Sequence, residues 1–444
     1  MLERVHEAMY HVMPDGTEKQ IHPFTGTEVW AIPGRRHKPI TNERPKTAKK
    51  LEVHTPEDYC NFCEANYLNT PPEKSRLVRG DGGYFTLDRI DPSQLFATTA
   101  EFRRIPNLFE IVSVDYWKKN HDYRLCDKNL AWKQRYLSSK EGLGHVLHMI
   151  DMKLSISGYS EAQLRSMSVD EKLEYADAFF GGCHELVIYR RHYIPGATYD
   201  SDSCSSGMLT PDEHFWYFKF TIAAMEDIYD QNRYVRYVSV YQNWLRPAGA
   251  SFDHLHKQLV GLDEWGVSVE RELQLAHASP NMYNEYAANF ASYQNLVVAE
   301  NAFAMAFVDL GHRYPTIAIY SKSQHCKPSE HTDEELRGFS DIVHAIHAAM
   351  GNQLSCNEEW YYMPRDAIIP MPWHVLIKWR VNIPAGFEGG TKIYVNPFRL
   401  KDLRDMIVPR LFEARDQGLI AGICIAHECE VKPNSLKYYL NGRC

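Results

Sequence analysis

The strongest helical pattern in the chain follows Thr332. Thr332 can cap a helix, and Glu335 stands three residues further on, which is the spacing of a capping box. Apolar residues then recur at the three- and four-residue spacing of a helix with one buried face. They are Leu336, Phe339, Ile342, Val343, Ile346 and Met350. We therefore predict a helix from residue 333 onward whose apolar stripe belongs to the core.

A second capping signal, Thr210 followed by Glu213, predicts a helix over residues 211–230. Residues 235–242 read Val-Arg-Tyr-Val-Ser-Val-Tyr-Gln, which is rich in β-forming residues and predicts a strand. Further strands are predicted at 28–32, 184–189, 296–299, 303–308, 316–320 and 374–380, and further helices at 169–180 and 400–415. This alternation favours an α+β fold, and the pattern after residue 265 resembles a second round of the first.

Length and composition are those of a soluble globular protein with two packed halves. The chain has 444 residues, of which 44% are hydrophobic and 24% charged. Charged residues interrupt the first sixteen positions, so no signal peptide is predicted, and the apolar stretch near residues 419–426 is too short for a bilayer. The net charge of −8 argues against a nucleic-acid partner. We expect a cytoplasmic protein without a membrane partner.

Two local features carry more chemical information. The basic run over residues 35–50 is either a solvated arm or a phosphate clamp. Of the ten cysteines, only Cys60 and Cys63 form a Cys-x-x-Cys pair. In a reducing compartment this pair indicates a metal site or a redox motif more than a disulfide, and a pair of free thiols is the alternative.

The most informative segment covers residues 243–258. Gly249 permits close approach of the backbone to a phosphate, and Ser251 offers a hydroxyl beside it. His254, His256 and Gln258 alternate, so in a strand their side chains share one face. A neutral imidazole is a competent nucleophile at pH 7. Taken alone, the three residues are also consistent with a solvated strand face.

This segment resembles the active-site motif of the galactose-1-phosphate uridylyltransferase family in the histidine triad superfamily. The family pattern runs from an Asn through Ala-Gly-Ala-Ser to His-Pro-His-x-Gln. The resemblance implies that His256 is the nucleophile that carries a nucleotidyl group and that Gln258 stabilises the intermediate. The residues it implies as phosphate ligands are Asn243, Gly249 and Ser251. This chain departs from the pattern at Leu255, where the family has Pro, and at Lys257.

Four further segments resemble the same family. Residues 22–39 resemble its opening segment, in which Arg35 and Lys38 fall on the two basic phosphate-contacting positions, the second normally Arg. Residues 104–109 resemble its nucleoside-binding segment, with Asn107 and Phe109 as the contacts. Residues 384–396 resemble its sugar-binding segment, with Phe387 and Glu388 as the contacts. Residues 184–192 resemble a strand and the histidine that follows it.

The resemblance also implies metal ligands. Two thiolates and two imidazoles suit tetrahedral Zn²⁺ and leave no open position, so the zinc is expected to be structural. These four ligands are Cys60, Cys63, His192 and His254. The family often has a second, non-catalytic metal, for which Glu272, His325 and His374 match three ligands. Because Pro372 stands where the fourth ligand belongs, only a weak site, or simple packing, is expected there.

For the whole chain, the resemblance implies tandem histidine-triad-like halves that form a mainly antiparallel sheet flanked by helices. The first half spans residues 1–265, with an insertion at about 115–180 that covers the pocket or contacts a subunit, and the second spans 266–444. The implied activity is transfer of a nucleoside monophosphate, expected to be UMP, from a nucleotide sugar to a sugar 1-phosphate. The implied assembly is a homodimer.

Three other activities fit the same residues. A phosphorylase would act on ADP-glucose or a dinucleoside polyphosphate with orthophosphate as acceptor, and a hydrolase would use water. A zinc-stabilised protein that binds nucleotides without turnover belongs to a different class. It would show no covalent species and would bind nucleotides without His256.

Overall fold

The computed structural model describes residues 9–33, 44–52 and 59–440. Its strands are β1 (Tyr10–Val12), β2 (Glu18–Ile21), β3 (Glu28–Ala31), β4 (Ser75–Gly80), β5 (Gly83–Asp88), β6 (Ala100–Pro106), β7 (His184–Tyr189), β8 (Tyr237–Trp244), β9 (His256–Leu262), β10 (Val297–Glu300), β11 (Ala304–Asp309), β12 (Thr316–Ser321), β13 (Cys356–Tyr361), β14 (His374–Trp379), β15 (Ile393–Asn396) and β16 (Cys424–Ile425). Its α-helices are Val114–His121, Asp127–Ser138, Lys140–Ile156, Glu161–Ser166, Val169–Leu173, Asp177–Gly181, Pro211–Gln231, Val267–Ala278, Asn289–Tyr293, Asp333–Met350, Gly386–Thr391 and Leu400–Asp416.

Twelve strands form one antiparallel sheet in the order β16-β10-β11-β12-β14-β13-β8-β9-β7-β6-β4-β5. The order is symmetric about the contact between β8 and β13. In the first half the chain runs through β6, six α-helices, β7, a long helix, β8 and β9. In the second half β11, β12, a long helix, β13 and β14 follow the same order without those six helices. The predicted α+β fold with tandem halves is confirmed, whereas the boundary between residues 265 and 266 stays a prediction.

Both long helices begin where their caps predict. The Thr210 hydroxyl accepts from the amide of Glu213, whose carboxylate accepts from the amide of Thr210. Thr332 and Glu335 make the same reciprocal pair. These bonds satisfy amide groups that a helix start otherwise leaves unpaired.

The two helices cover one face of the sheet. Phe218 of the first helix packs against Trp360 of β13 at 4.6 Å between ring centroids. Phe339 of the second helix stacks on Trp373, which precedes β14, at 4.0 Å. Because strand side chains alternate, neighbouring residues such as Glu359, Tyr361 and His374 project from the opposite face. We call that second face the open face.

A small sheet in the order β1-β2-β3-β15 attaches the start of the chain to the second half. β3 and β15 run parallel in register, from Glu28 opposite Ile393 to Ala31 opposite Asn396. The Gln20 side chain accepts from the amide of Gly311, so β2 is fixed to residues far along the chain.

The segment between residues 114 and 181 is helical and has its own apolar core, with Trp132 and Phe180 at 4.7 Å. The predicted single helix over 169–180 is wrong, because the chain forms two short helices there. The first ends at Leu173, and the second begins at Asp177. No described helix combines the length and apolar character that crossing a membrane requires.

Candidate functional site

His256 is the first residue of β9, lies on the open face and is 4% exposed. Its Nδ1 lies 2.7 Å from the carbonyl oxygen of His254. A carbonyl oxygen only accepts, so Nδ1 carries the proton and Nε2 keeps a lone pair. Burial is the main cause that lowers the pKa of His256 to about 4, which keeps the ring neutral at pH 7. The arrangement prepares Nε2 as a nucleophile.

The position of His254 differs from the sequence prediction. His254 was expected to share the strand face of His256 and Gln258, but β9 begins only at His256. Because His254 lies before the first residue of the strand, its carbonyl can accept from the His256 ring. It also turns the His254 ring toward the cysteines.

The four predicted zinc ligands lie together, with ligand atoms within 4.8 Å of one another. The Sγ atoms of Cys60 and Cys63 are 3.8 Å apart, and Cys63 Sγ lies 3.5 Å from Nδ1 of His192. Cys60 Sγ lies 3.5 Å from Nδ1 of His254. Tetrahedral zinc with bonds of about 2.3 Å to sulfur and 2.0 Å to nitrogen places such ligand pairs about 3.8 and 3.6 Å apart.

The chemistry of the cluster also fits zinc. His254 donates from Nε2 to the carbonyl of Tyr189 at 2.6 Å, which leaves Nδ1 unprotonated and facing the cysteines. The hydrogen bond from Cys60 is the main cause that lowers the pKa of the Cys63 thiol, which favours the thiolate that binds metal. The cluster joins segments separated by 129 and 194 positions in the chain.

Phe62 connects this cluster to His256. It lies between the two cysteines in sequence, and its ring meets the His256 ring edge-on at 5.4 Å. It also contacts Phe252 at 4.5 Å in a small apolar cluster with Ile105, Leu186 and Ile188. The loop that contains the two cysteines therefore packs directly against His256.

Two donors fix the amide of Gln258. His184 accepts at Nδ1 from the amide of Ile111 at 3.0 Å, so its Nε2 carries the proton and donates to the Gln258 side-chain oxygen at 3.1 Å. Tyr241 donates to the same oxygen at 3.1 Å. With its oxygen occupied, Gln258 can offer only its N–H groups to a substrate, which suits an anionic phosphate.

The loop between β8 and β9 contains two residues with left-handed backbone. Leu245 and Gly249 both have positive φ, at 65° and 91°, on either side of the short helical turn Arg246–Ala248. Gly249 is exposed and adopts this conformation without strain, whereas Leu245 does so at a cost that is typical of functional loops. Ser251 is exposed in the same loop.

Both departures from the family motif are accommodated on the covered face. Leu255 and Lys257 are completely buried. Lys257 Nζ lies 2.5 Å from the Glu358 carboxylate of β13, which also accepts from His347 at 2.8 Å. Burial alone would raise the pKa of Glu358, but Lys257 and His347 together lower it to about 2. The unusual lysine therefore joins the two halves.

The predicted nucleoside contacts lie beside this site. The Asn107 side-chain oxygen accepts from the amide of Phe109 at 3.0 Å, and the residue borders the His184 ring that holds Gln258. Phe109 is 46% exposed and can stack on a base. Arg35 and Lys38 lie outside the described residues.

The predicted sugar contacts are elsewhere within this chain. Phe387 and Glu388 belong to the short helix Gly386–Thr391 beside the small sheet, and neither lines the cavity of about 340 Å³ next to Tyr241 and Asn243. A role for them at this site requires a second subunit. That role stays a prediction.

The predicted second metal site does not assemble. Glu272 and His374 line one cavity on the open face. His325 packs near His331, which touches Trp373 on the covered face, so the sheet separates it from His374. His374 instead stacks on Tyr320 at 4.4 Å. Of the two alternatives that the sequence left open for these residues, the weak metal site is therefore not formed, and His374 is packed against Tyr320 instead.

Another cluster in that cavity, His22, Asp309 and His312, does not fit a metal either. His22 Nδ1 accepts from the amides of Phe24 and Thr25 at 3.3 and 3.1 Å. Its Nε2, which faces Asp309 at 3.9 Å, therefore keeps its proton and has no lone pair for a cation.

The sequence interpretation missed residues that act through contacts between distant segments. Tyr241 and Phe62 stood inside recognised segments without any assigned role. Glu358 and Asn357 come from the second half, and no local pattern marks them. Lys257 was a usable signal, because a buried lysine needs a carboxylate partner.

Solved structures share this fold. A crystal structure of an ADP-glucose phosphorylase from Arabidopsis thaliana with bound ADP-glucose superposes with a TM-score of 0.56 at 17% identity, covering 88% of this chain and 98% of that chain. A GalT-like protein from Arabidopsis thaliana superposes with a TM-score of 0.52 at 18% identity, covering 79% and 92%. At these identities the likeness establishes the fold, and the predicted resemblance in fold is confirmed.

The family follows from the sequence itself. A family model described as a domain of unknown function, DUF4921, matches residues 13–438, and the chain belongs to this family. Among curated proteins, none matches the sequence.

Proposed function

We propose that this protein transfers a nucleoside monophosphate through a covalent nucleotidyl intermediate on His256. The observation that carries the proposal is the hydrogen bond from His256 Nδ1 to the carbonyl of His254, because it leaves Nε2 unprotonated on the open face. Gln258 stands two residues further along the same face, with its N–H groups available.

In the first step the lone pair of Nε2 attacks the α-phosphorus of a nucleotide sugar. The bond from phosphorus to the bridging oxygen breaks, and sugar 1-phosphate leaves with that electron pair. The positive charge on the ring is stabilised by the bond from Nδ1–H to the His254 carbonyl. In the second step a phosphate oxygen of the acceptor attacks, and the P–N bond breaks.

The phosphate groups would lie against the loop that contains Gly249 and Ser251 and beside Asn243 and Gln258. These four residues donate hydrogen bonds and carry no charge, so they would stabilise the transition state mainly by holding the phosphate in position. Phe109 supplies an exposed ring for the base. Glu388 and Phe387 would supply the sugar contacts from a second copy of the chain, which makes a homodimer part of this proposal.

We further propose that Cys60, Cys63, His192 and His254 hold a structural zinc ion. Four protein ligands complete its coordination, so the ion would fix the loop around Phe62 and the segment before β9. It would take no part in the transfer. Zinc content of the purified protein, expected at one ion per chain, tests this point.

The sequence is consistent with a transferase and with a phosphorylase. The identity of the acceptor that reacts with the nucleotidyl intermediate distinguishes these two activities. An ADP-glucose phosphorylase has the same fold, so ADP-glucose should be tested as a donor beside UDP-glucose. Protein preloaded with either donor would be freed of excess donor and mixed with glucose 1-phosphate, galactose 1-phosphate, orthophosphate or buffer. A nucleotide sugar released only with a sugar 1-phosphate supports the transferase.

The other products identify the alternatives. A nucleoside diphosphate formed only with orthophosphate identifies a phosphorylase, and nucleoside monophosphate formed in buffer identifies a hydrolase. Nucleotide that is recovered unchanged, with none bound covalently, would exclude all three enzymes and indicate a binding protein.

A further inference from the structure

A residue of the second half touches the proposed phosphate site. Asn357 of β13 stands directly opposite Asn243 of β8, at the contact between the two halves of the sheet. Asn357 is 8% exposed, and its side chain reaches three different segments. Its partners are Asn243, Ala248 of the loop between β8 and β9, and Arg380, which follows β14.

The orientation of the Asn357 amide is fixed from two sides. Arg380 donates from its guanidinium to the side-chain oxygen at 2.7 Å, and a guanidinium can only donate. The Asn357 nitrogen donates to the carbonyl of Ala248 at 2.8 Å, and a carbonyl can only accept. Exchanging the two amide atoms would therefore place donor against donor and acceptor against acceptor.

This orientation passes to Asn243. The Asn357 nitrogen also donates to the Asn243 side chain at 2.7 Å, so the atom it meets must be the oxygen. The nitrogen of Asn243 then points the other way, toward the loop. It lies 3.8 Å from the place where a Cβ atom on Gly249 would stand. Asn243 therefore presents N–H groups, and no acceptor, where the phosphate would bind.

We propose that Asn357, held by Arg380, is a positioning residue that turns the N–H groups of Asn243 toward a substrate phosphate. The inference rests on the proposed function. It adds that the second half of the chain sets the polarity of a site whose ligands come from the first half. It also assigns this position to a phosphate oxygen, since a cation gains nothing from a pure donor and an anionic oxygen accepts more strongly than a hydroxyl.

The test compares two substitutions of Asn357 by the binding of ADP, UDP and their nucleosides. In Asn357→Asp the second carboxylate oxygen faces Asn243, so the Asn243 amide turns and presents its oxygen to the phosphate. In Asn357→Leu the Asn243 amide loses its partner but is not reversed. We expect diphosphate affinity to fall about tenfold or more in Asn357→Asp and less in Asn357→Leu. Nucleoside affinity should stay within about twofold in both.

A merely structural role predicts the opposite order, because Asn357→Asp keeps the contact with Arg380 and Asn357→Leu loses every polar contact. Ser239→Asp controls for charge, since Ser239 lines the same cavity next to Tyr241 and is not among the partners of Asn243. It should weaken diphosphate binding less than Asn357→Asp does. Equal loss in these two variants would overturn the inference.

A direct measurement keeps the test independent of folding changes and turnover. The side-chain amide signal of Asn243 in ¹⁵N-labelled protein can be assigned by its loss in Asn243→Asp. We expect ADP or UDP to shift this signal in the wild type and not in Asn357→Asp. A diphosphate that binds without moving the signal, or moves it equally in both proteins, would overturn the inference.

The two failures are distinguishable. If the wild type forms the nucleotidyl adduct and the substitutions leave diphosphate binding unchanged, the positioning role is wrong and the proposed function stands. If the wild type binds neither ADP nor UDP and forms no adduct with any donor, both are wrong.

Discussion

Among single side chains, Gln258 shows how protein contacts decide which end of a neutral group meets the substrate. His184 and Tyr241 occupy its oxygen, so its N–H groups are left for the phosphate. The charge that develops on phosphoryl oxygens during transfer is best stabilised by donors that are already oriented.

The first prediction concerns this residue. Gln258→Ala should slow formation of the nucleotidyl adduct by about 10²-fold, the usual cost of losing one such donor. Tyr241→Phe is the matched control, because it removes one of the two bonds to the amide and leaves that from His184. It should cost only a few-fold. Rapid-quench measurement of the adduct would decide, and equal rates in Gln258→Ala and the wild type would contradict this role.

Some residues of the candidate site could be predicted from the sequence, and others could not. His256, Gln258 and the four metal ligands lie in recognisable local patterns, and the structure brings the ligands together as predicted. Asn357 and Glu358 could not be predicted, because their contacts depend on the register between β8 and β13. Their strands lie more than a hundred residues apart in the chain.

Larger elements are held around the site by buried polar contacts. His145 of the helix Lys140–Ile156 donates from Nε2 to the carbonyl of Thr70 at 2.9 Å and accepts at Nδ1 from Tyr136 at 2.7 Å. Thr70 ends the short helical turn that follows Cys63. The helical insertion thus packs on the metal-binding loop, a placement that the sequence left undecided.

This contact predicts a pH dependence. Burial lowers the pKa of His145 to about 4, below its ordinary 6.5, so the unfolded chain takes up a proton first as pH falls. The stabilising contribution is complete above about pH 6.5 and decreases toward pH 4, by at most about 1.4 kcal/mol per pH unit. In His145→Gln the thermal midpoint should therefore fall less between pH 7 and pH 5 than in the wild type.

The exposed histidine His277 supplies the control, since His277→Gln should leave the pH dependence of the midpoint unchanged. If His145→Gln and the wild type lose equal stability over that interval, the neutral, buried state of His145 is wrong.

The ion pair between β9 and β13 predicts a stability effect. Lys257→Met leaves Glu358 charged and fully buried, with its contacts to His347 and Trp360 but without the positive charge of the lysine, which should cost about 3–5 kcal/mol of unfolding free energy. The double variant Lys257→Met with Glu358→Gln removes both charges and should recover most of that loss. Urea unfolding of the three proteins measures the difference, and a double variant no more stable than the single one would contradict the assignment.

The elements themselves could be predicted where local signals are strong. The capped helices after Thr210 and Thr332 begin at the predicted residues, and β7 has the predicted bounds. The break in the helix predicted over 169–180 could not be predicted, because it arises from tertiary packing inside the insertion, between Leu173 and Asp177. β4 and β6 were missed, since charged residues such as Arg76 and Arg103 interrupt their pattern although both are buried.

Across the whole molecule, the proposed zinc site joins the loop around Phe62, the segment after β7 and the segment before β9. Removing zinc by chelation, or by Cys63→Ser, should lower the thermal midpoint and the rate of adduct formation together, because the Phe62 contact to His256 depends on that loop. Cys424→Ser changes an exposed cysteine outside the cluster and should alter neither. Full stability and rate in metal-free protein would contradict the structural role.

The central claim is that His256 carries the nucleotidyl group, and the most direct test is intact-protein mass after brief incubation with UDP-glucose, ADP-glucose, GDP-mannose and a dinucleoside tetraphosphate. His374→Ala is the matched control, because His374 opens the corresponding strand β14 and bonds through Nδ1 to the carbonyl of Pro372 in the same way. We predict a mass gain of one nucleotidyl group in the wild type and in His374→Ala, and none in His256→Ala. A gain that survives in His256→Ala, or no gain with any donor that demonstrably binds, would contradict the claim.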